Sequence, residues 1–134
     1  METMLISLFI ATIMPMLAKV PLAYAMHQMG GYNNRNPRGQ QAKLKGFGAR
    51  AKAAHENCFE ALLMYAPGVL AIVSLDVATE WAQYCAMAFV FSRVMYLIMY
   101  WIDQHLMRSL FWSVGFATSL MILWEAMVQT ATVY

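Results

Sequence analysis

The chain has 134 residues, 61% of them hydrophobic and only 12% charged, with a formal net charge of +2. Soluble domains average nearer 45–50% apolar and about 25% charged. A soluble enzyme, a disordered tail and a basic nucleic-acid-binding domain are therefore excluded, and the length allows a single domain over residues 1–134.

Four apolar stretches approach or exceed the ~20 residues that a helix needs to cross a ~30 Å hydrocarbon core. They cover about residues 4–26, 54–75, 84–102 and 110–133. Lipid obliges the backbone to satisfy its own hydrogen bonds, which selects helices here. The alternating pattern of a lipid-facing barrel strand is absent. The expected fold is all-α: an integral membrane four-helix bundle. The first stretch lacks the positive start and small-residue cleavage site of a signal peptide, so it counts as a true helix. Pro15 and Pro21 lie inside it and are expected to kink it.

Charge placement sets the orientation. Arg35, Arg38, Lys43, Lys45, Arg50 and Lys52 fall between residues 27 and 52, where no acidic residue occurs. The loop at residues 74–83 carries only Asp76 and Glu80. Basic loops stay in the cytoplasm, so both termini are expected on the non-cytoplasmic side. The first loop, rich in Gly, Asn and Pro, reads as a solvated positive loop or as a funnel over a cytosolic site. Its glycines are not followed by the Lys-Ser/Thr of a phosphate loop.

Charges at membrane depth are costly and usually face the bundle interior. If the second helix enters near Arg50, Asn57 lies roughly 10 Å deep and Glu60 roughly 15 Å deep. In the third helix, counted back from Gln104, Tyr100, Tyr96 and Arg93 lie about 6, 12 and 16 Å deep. Glu60 and Arg93 thus share a depth, and a direct buried pair between them is expected, within one chain or between subunits. Arg50, Asn57 and Glu60 (i, i+7, i+10) share one helix face, as do Arg93, Tyr96 and Tyr100. Together they outline a polar cleft opening to the cytoplasm. The plainer alternative is that these polar groups only hold helices together.

Lys19 is placed either in the same cleft or snorkelling to the headgroups. His55 is expected near the headgroups, solvated. No histidines or cysteines share ligand spacing, so no metal site is expected. Cys58 and Cys85 fall at different depths, which argues against a disulfide. The 13 methionines suit flexible apolar packing.

The stretch Arg50-Ala51-Lys52-Ala53-Ala54-His55-Glu56-Asn57-Cys58-Phe59-Glu60 resembles the second-helix signature of the MAPEG family, membrane-associated proteins in eicosanoid and glutathione metabolism. Asn36-Pro37-Arg38, Gly46 and Phe47 are similar to its bacterial branch. Arg93-x-x-Tyr96-x-x-x-Tyr100 followed by Arg108-Ser109 extends the likeness over the whole four-helix layout. The resemblance implies a homotrimer in the bacterial inner membrane, with glutathione as cosubstrate bound between subunits near the cytosolic face. It also implies a lipophilic second substrate entering from membrane lipid. By the same resemblance Asn57 and Glu60 match the glutathione-binding pair, while Tyr96 and Tyr100 line the peptide. Arg93 is the arginine one turn before the first tyrosine, and Arg50 stands near the family's helix-two arginine, whose own place is taken by Ala53. Arg108 looks like the catalytic arginine that stabilises the thiolate. The implied activity is a glutathione transferase or peroxidase acting on lipophilic electrophiles or lipid hydroperoxides. The alternative within the family is a non-catalytic lipid-binding scaffold. A transporter reading lacks inverted repeats or a continuous polar path.

Overall fold

The computed structural model describes residues 1–133, with side chains to residue 131. Among the described residues five helices follow one another: α1 (Glu2–His27), α2 (Pro37–Gln41), α3 (Phe47–Leu75), α4 (Glu80–Trp101) and α5 (His105–Val133). Four of them, α1, α3, α4 and α5, are long and apolar enough to cross a membrane. They form an up-and-down bundle in which α3 packs on α1, α5 and α4, and α4 packs on α5, α1 and α3. The central pair, α3 and α4, carries most of the polar groups considered above.

Several boundaries lie beyond the apolar stretches. α3 starts at Phe47 rather than near residue 54, α4 at Glu80 rather than 84, and α5 at His105 rather than 110. Hydropathy marks where a helix enters lipid, whereas Ala, Lys and Arg continue it into the headgroups because they favour helix. Gly46, at φ 54°, supplies the positive φ that turns the chain into α3. Asp76 adopts the left-handed conformation at its end, and Val77 N donates back to Ile72 O at 3.2 Å. Thr79 then caps α4 by accepting from Ala82 N at 3.1 Å. At the other end Asp103 (φ 63°) reverses the chain between α4 and α5, with Gln104 N bonded to Met99 O at 2.8 Å.

α1 runs through both Pro15 and Pro21. The neighbouring helix adds a donor in this region: His55 Nδ1 lies 2.8 Å from Pro15 O, so Nδ1 carries the proton. His55 is 4% exposed, not solvated as expected, because α3 begins two turns earlier and turns this residue onto α1. α2 lies within the basic loop. Asn36 caps it through Gly39 N at 3.1 Å, and Pro37 occupies its first position, where its missing N–H costs nothing.

The core toward the far end is built on Tyr65 and Phe89, whose rings stack at 3.7 Å. Met4, Val69, Ile72 and Ile122 close around them. Gly68 lets α3 approach α5: a Cβ there would sit 3.0 Å from Leu123 N. Large apolar side chains such as Phe9, Leu63, Phe91 and Trp124 are exposed on the outside of the bundle, as a membrane-embedded surface requires.

Candidate functional site

The polar residues of α3 and α4 meet through one amide. Arg93 Nη2 donates to Asn57 Oδ1 at 2.7 Å, and Asn57 Nδ2 donates to Glu60 Oε2 at 2.6 Å. Within one chain the expected direct Glu60–Arg93 pair is replaced by this relay: Asn57 stands between the two, and Glu60 lies on the exposed side of α3. An amide carries both a donor and an acceptor, so it can serve a cation and an anion at once.

Arg93 is 3% exposed, and its Nε has no hydrogen-bond partner. It fits because Gly115 of α5 leaves room. A Cβ at that position would meet Ser92 Oγ at 3.1 Å and Arg93 Cδ at 3.2 Å. Its guanidinium carbon lies 4.1 Å from the centroid of the Tyr96 ring. Tyr96 meets Tyr100 edge-on, with centroids 5.4 Å apart, and Arg108 lies 4.4 Å over Tyr100. A cation thus caps each end of the Tyr96–Tyr100 ring pair along the inner face of α4 to the first turns of α5.

Asn57, Tyr96, Tyr100 and Arg108 line a common cavity of about 250 Å³ with Ser109, Trp112 and Ser113. Ser109 Oγ donates to His105 O and Ser113 Oγ to Ser109 O, both at 3.0 Å. Their protons are committed to the helix, so the oxygens face the cavity as acceptors. Trp112 and Ser113 were not singled out from sequence for this cavity. Their spacing after Arg108 and Ser109 (i+4) is the signal that puts them on the same face.

Arg50 goes elsewhere. Its Nη2 reaches Trp101 O at 3.5 Å and its Nη1 lies 3.8 Å from Asp103 Oδ2, at the loop joining α4 and α5. Lys52, two residues on, pairs with Glu56 at 3.2 Å. Lys19 faces away, beside Met16, Val20, Ala23 and Tyr32. Cys58 and Cys85 are free and buried. Glu125 accepts from Gln129 Nε2 at 3.0 Å within α5.

A family model described as the MAPEG family matches residues 3–128. The chain belongs to the MAPEG family. The match reaches into all four long helices and includes each residue of the relay and the cavity. No curated protein and no solved structure gives a significant match. Membership places the chain among the membrane proteins of eicosanoid and glutathione metabolism, in keeping with its four apolar helices.

Proposed function

We propose that this protein is a membrane-embedded glutathione transferase or peroxidase acting on lipophilic electrophiles or lipid hydroperoxides. The observation that carries the reading is Arg108 beside a cavity of about 250 Å³ that also holds Asn57, Tyr96 and Tyr100. Glutathione offers an amine, two carboxylates and a thiol. Glu60 and the Asn57 amide suit the amine and the peptide, and the tyrosine hydroxyls suit the carboxylates. Arg93 fixes Asn57 and Tyr96. Arg50 takes part only by exchanging Asp103 for a glutathione carboxylate.

Arg108 stabilises the thiolate, since a nearby cation lowers a thiol pKa and the thiolate is the nucleophile. With an electrophile, the sulfur forms a bond to carbon and the leaving group departs with its electron pair. With a hydroperoxide, the thiolate attacks the outer oxygen and the O–O bond breaks. The lipid alkoxide takes a proton to become the alcohol, leaving glutathione sulfenic acid. A second glutathione then gives the disulfide and water. A homotrimer in the bacterial inner membrane closes the cavity from the neighbouring subunit, with the basic loop cytoplasmic and both termini on the other side. Exposed Glu60 lies on the surface available to that neighbour.

The test is turnover of 1-chloro-2,4-dinitrobenzene and of cumene hydroperoxide by purified protein in lipid nanodiscs, with glutathione, for wild type and Arg108→Ala. Activity in the wild type and its loss in the variant support the proposal. No turnover in the wild type, or equal turnover in both, overturns it and leaves the scaffold reading.

A further inference from the structure

The basic loop is a built structure, not a solvated tether. Gln40 clasps it to the end of α1: Nε2 donates to Met26 O at 3.0 Å and to Gly31 O at 2.8 Å, while Oε1 accepts from Asn33 N at 2.9 Å. Lys43 N bonds to Gln40 O at 3.1 Å, so the clasp also sets where Lys43 stands. Beyond it, Lys43 and Lys45 flank a groove of about 360 Å³ whose walls include Tyr24, Ala25, Leu44 and Phe47. The floor is tight because Gly48 brings α3 against α1: a Cβ there would lie 3.3 Å from Ala25 Cβ.

Three features define the occupant. The groove lies where α1 ends and α3 begins, the level at which two membrane helices leave the hydrocarbon for the headgroups. Its body is apolar while its charged members are both cations. Neither lysine forms an ion pair among the described residues, and no acidic residue occurs between residues 27 and 52 to compete. We propose that this groove binds an anionic bilayer phospholipid, its phosphate between Lys43 and Lys45 and the start of an acyl chain along Tyr24, Ala25 and Phe47. A free phosphate would leave the apolar wall unused, and a zwitterionic lipid would bring its own cation to the lysines. The site is separate from the Arg108 cavity and does not depend on the function proposed for it.

The experiment is native mass spectrometry of the full chain in neutral detergent with phosphatidylglycerol or phosphatidylcholine of identical acyl chains. Phosphatidylglycerol stays bound and phosphatidylcholine does not. Lys43→Gln/Lys45→Gln lowers phosphatidylglycerol retention by roughly tenfold, while Arg35→Gln/Arg38→Gln, which removes equal charge outside the groove, lowers it by less than about twofold. Excess glycerol 3-phosphate leaves the lipid in place. Equal retention of both lipids, equal losses in the two double variants, or displacement by glycerol 3-phosphate overturns the proposal. All four substituted side chains are exposed, so the variants fold, and thermal melts check this.

Discussion

Arg93 and Glu60 are joined by hydrogen bonds through Asn57, which accepts from the first at 2.7 Å and donates to the second at 2.6 Å. The arrangement separates a buried cation from an exposed carboxylate by one neutral group that satisfies both. A direct ion pair would have drawn Glu60 inward at a desolvation cost that a hydrogen-bonded amide avoids.

The first prediction follows from this bridge. Asn57→Ala removes the Asn57 acceptor from the buried Arg93 guanidinium, and hydrogen bonds to charged groups are worth about 1.5–3 kcal/mol. The variant is expected to unfold in detergent that much more easily and to give no glutathione heat by calorimetry. Asn57→Asp keeps an acceptor for Arg93 but sets a second carboxylate against Glu60. It is expected to retain most of the stability and to lose glutathione binding. A variant Asn57→Ala with wild-type stability would remove the relay from the folding account.

The four spans were legible because hydropathy reports burial in lipid directly. The helix ends were not, because Arg50 and Lys52 break the apolar run while the alanines around them keep residues 47–53 helical by propensity. Depth counting brought Glu60 to the level of Arg93, but depth is one coordinate. It says nothing of the Asn57 amide that intercepts the pair. Arg50 shares the Asn57 face by spacing, and the left-handed turn at Asp103 supplies a nearer carboxylate that spacing along α3 cannot reveal. His55 shows the same limit, since only the packing of α1 identifies Pro15 O as its acceptor. The α2 turn did carry a local signal, Asn36 followed by Pro37, which is the pairing of a cap residue with the favoured first position.

The second prediction concerns Gly115. Replacing it with Ala puts a methyl 3.1 Å from Ser92 Oγ and 3.2 Å from Arg93 Cδ, so α5 or Arg93 must shift. Overpacking of this kind costs about 1–3 kcal/mol. The larger consequence is expected in turnover, because Arg108, Ser109 and Trp112 ride on the same helix as Gly115. Adding Ser92→Ala removes the closest atom and restores part of the activity. If Gly115→Ala is as active and as stable as wild type, the tight approach of α5 to Arg93 has no functional weight.

The third prediction tests the far end of the bundle. Ser7 Oγ donates its one proton to Met4 O at 2.7 Å, so in the 2.6 Å contact with Tyr65 the phenol is the donor. Tyr65→Phe removes donor and proton together and costs about 1 kcal/mol. Ser7→Ala leaves the buried Tyr65 hydroxyl without an acceptor and costs more, about 1–3 kcal/mol. Both variants are expected to keep wild-type KM for glutathione, since neither residue lines the Arg108 cavity. Denaturation in mixed detergent reads the order, and the reverse order would show that Ser7 donates to Tyr65.

The last prediction separates what Arg108 does from what holds it. Arg108 lies 4.4 Å over the Tyr100 ring, so the ring face, not the hydroxyl, positions the cation. Tyr100→Phe keeps the face and is expected to retain kcat with a raised KM, the hydroxyl being a ligand contact. Tyr100→Leu loses the face, and a cation–π contact of about 0.5–2 kcal/mol corresponds to a loss of kcat between about twofold and thirtyfold. Arg108→Ala removes the cation itself. The bound glutathione thiol then titrates at higher pH, and each unit of that rise costs about tenfold in rate at any pH below both values. The deficit shrinks as pH climbs past the wild-type value and closes once the thiol is ionised in both proteins. A kcat profile for Arg108→Ala that runs parallel to wild type at every pH would show that Arg108 orients the substrate without acting on the thiol.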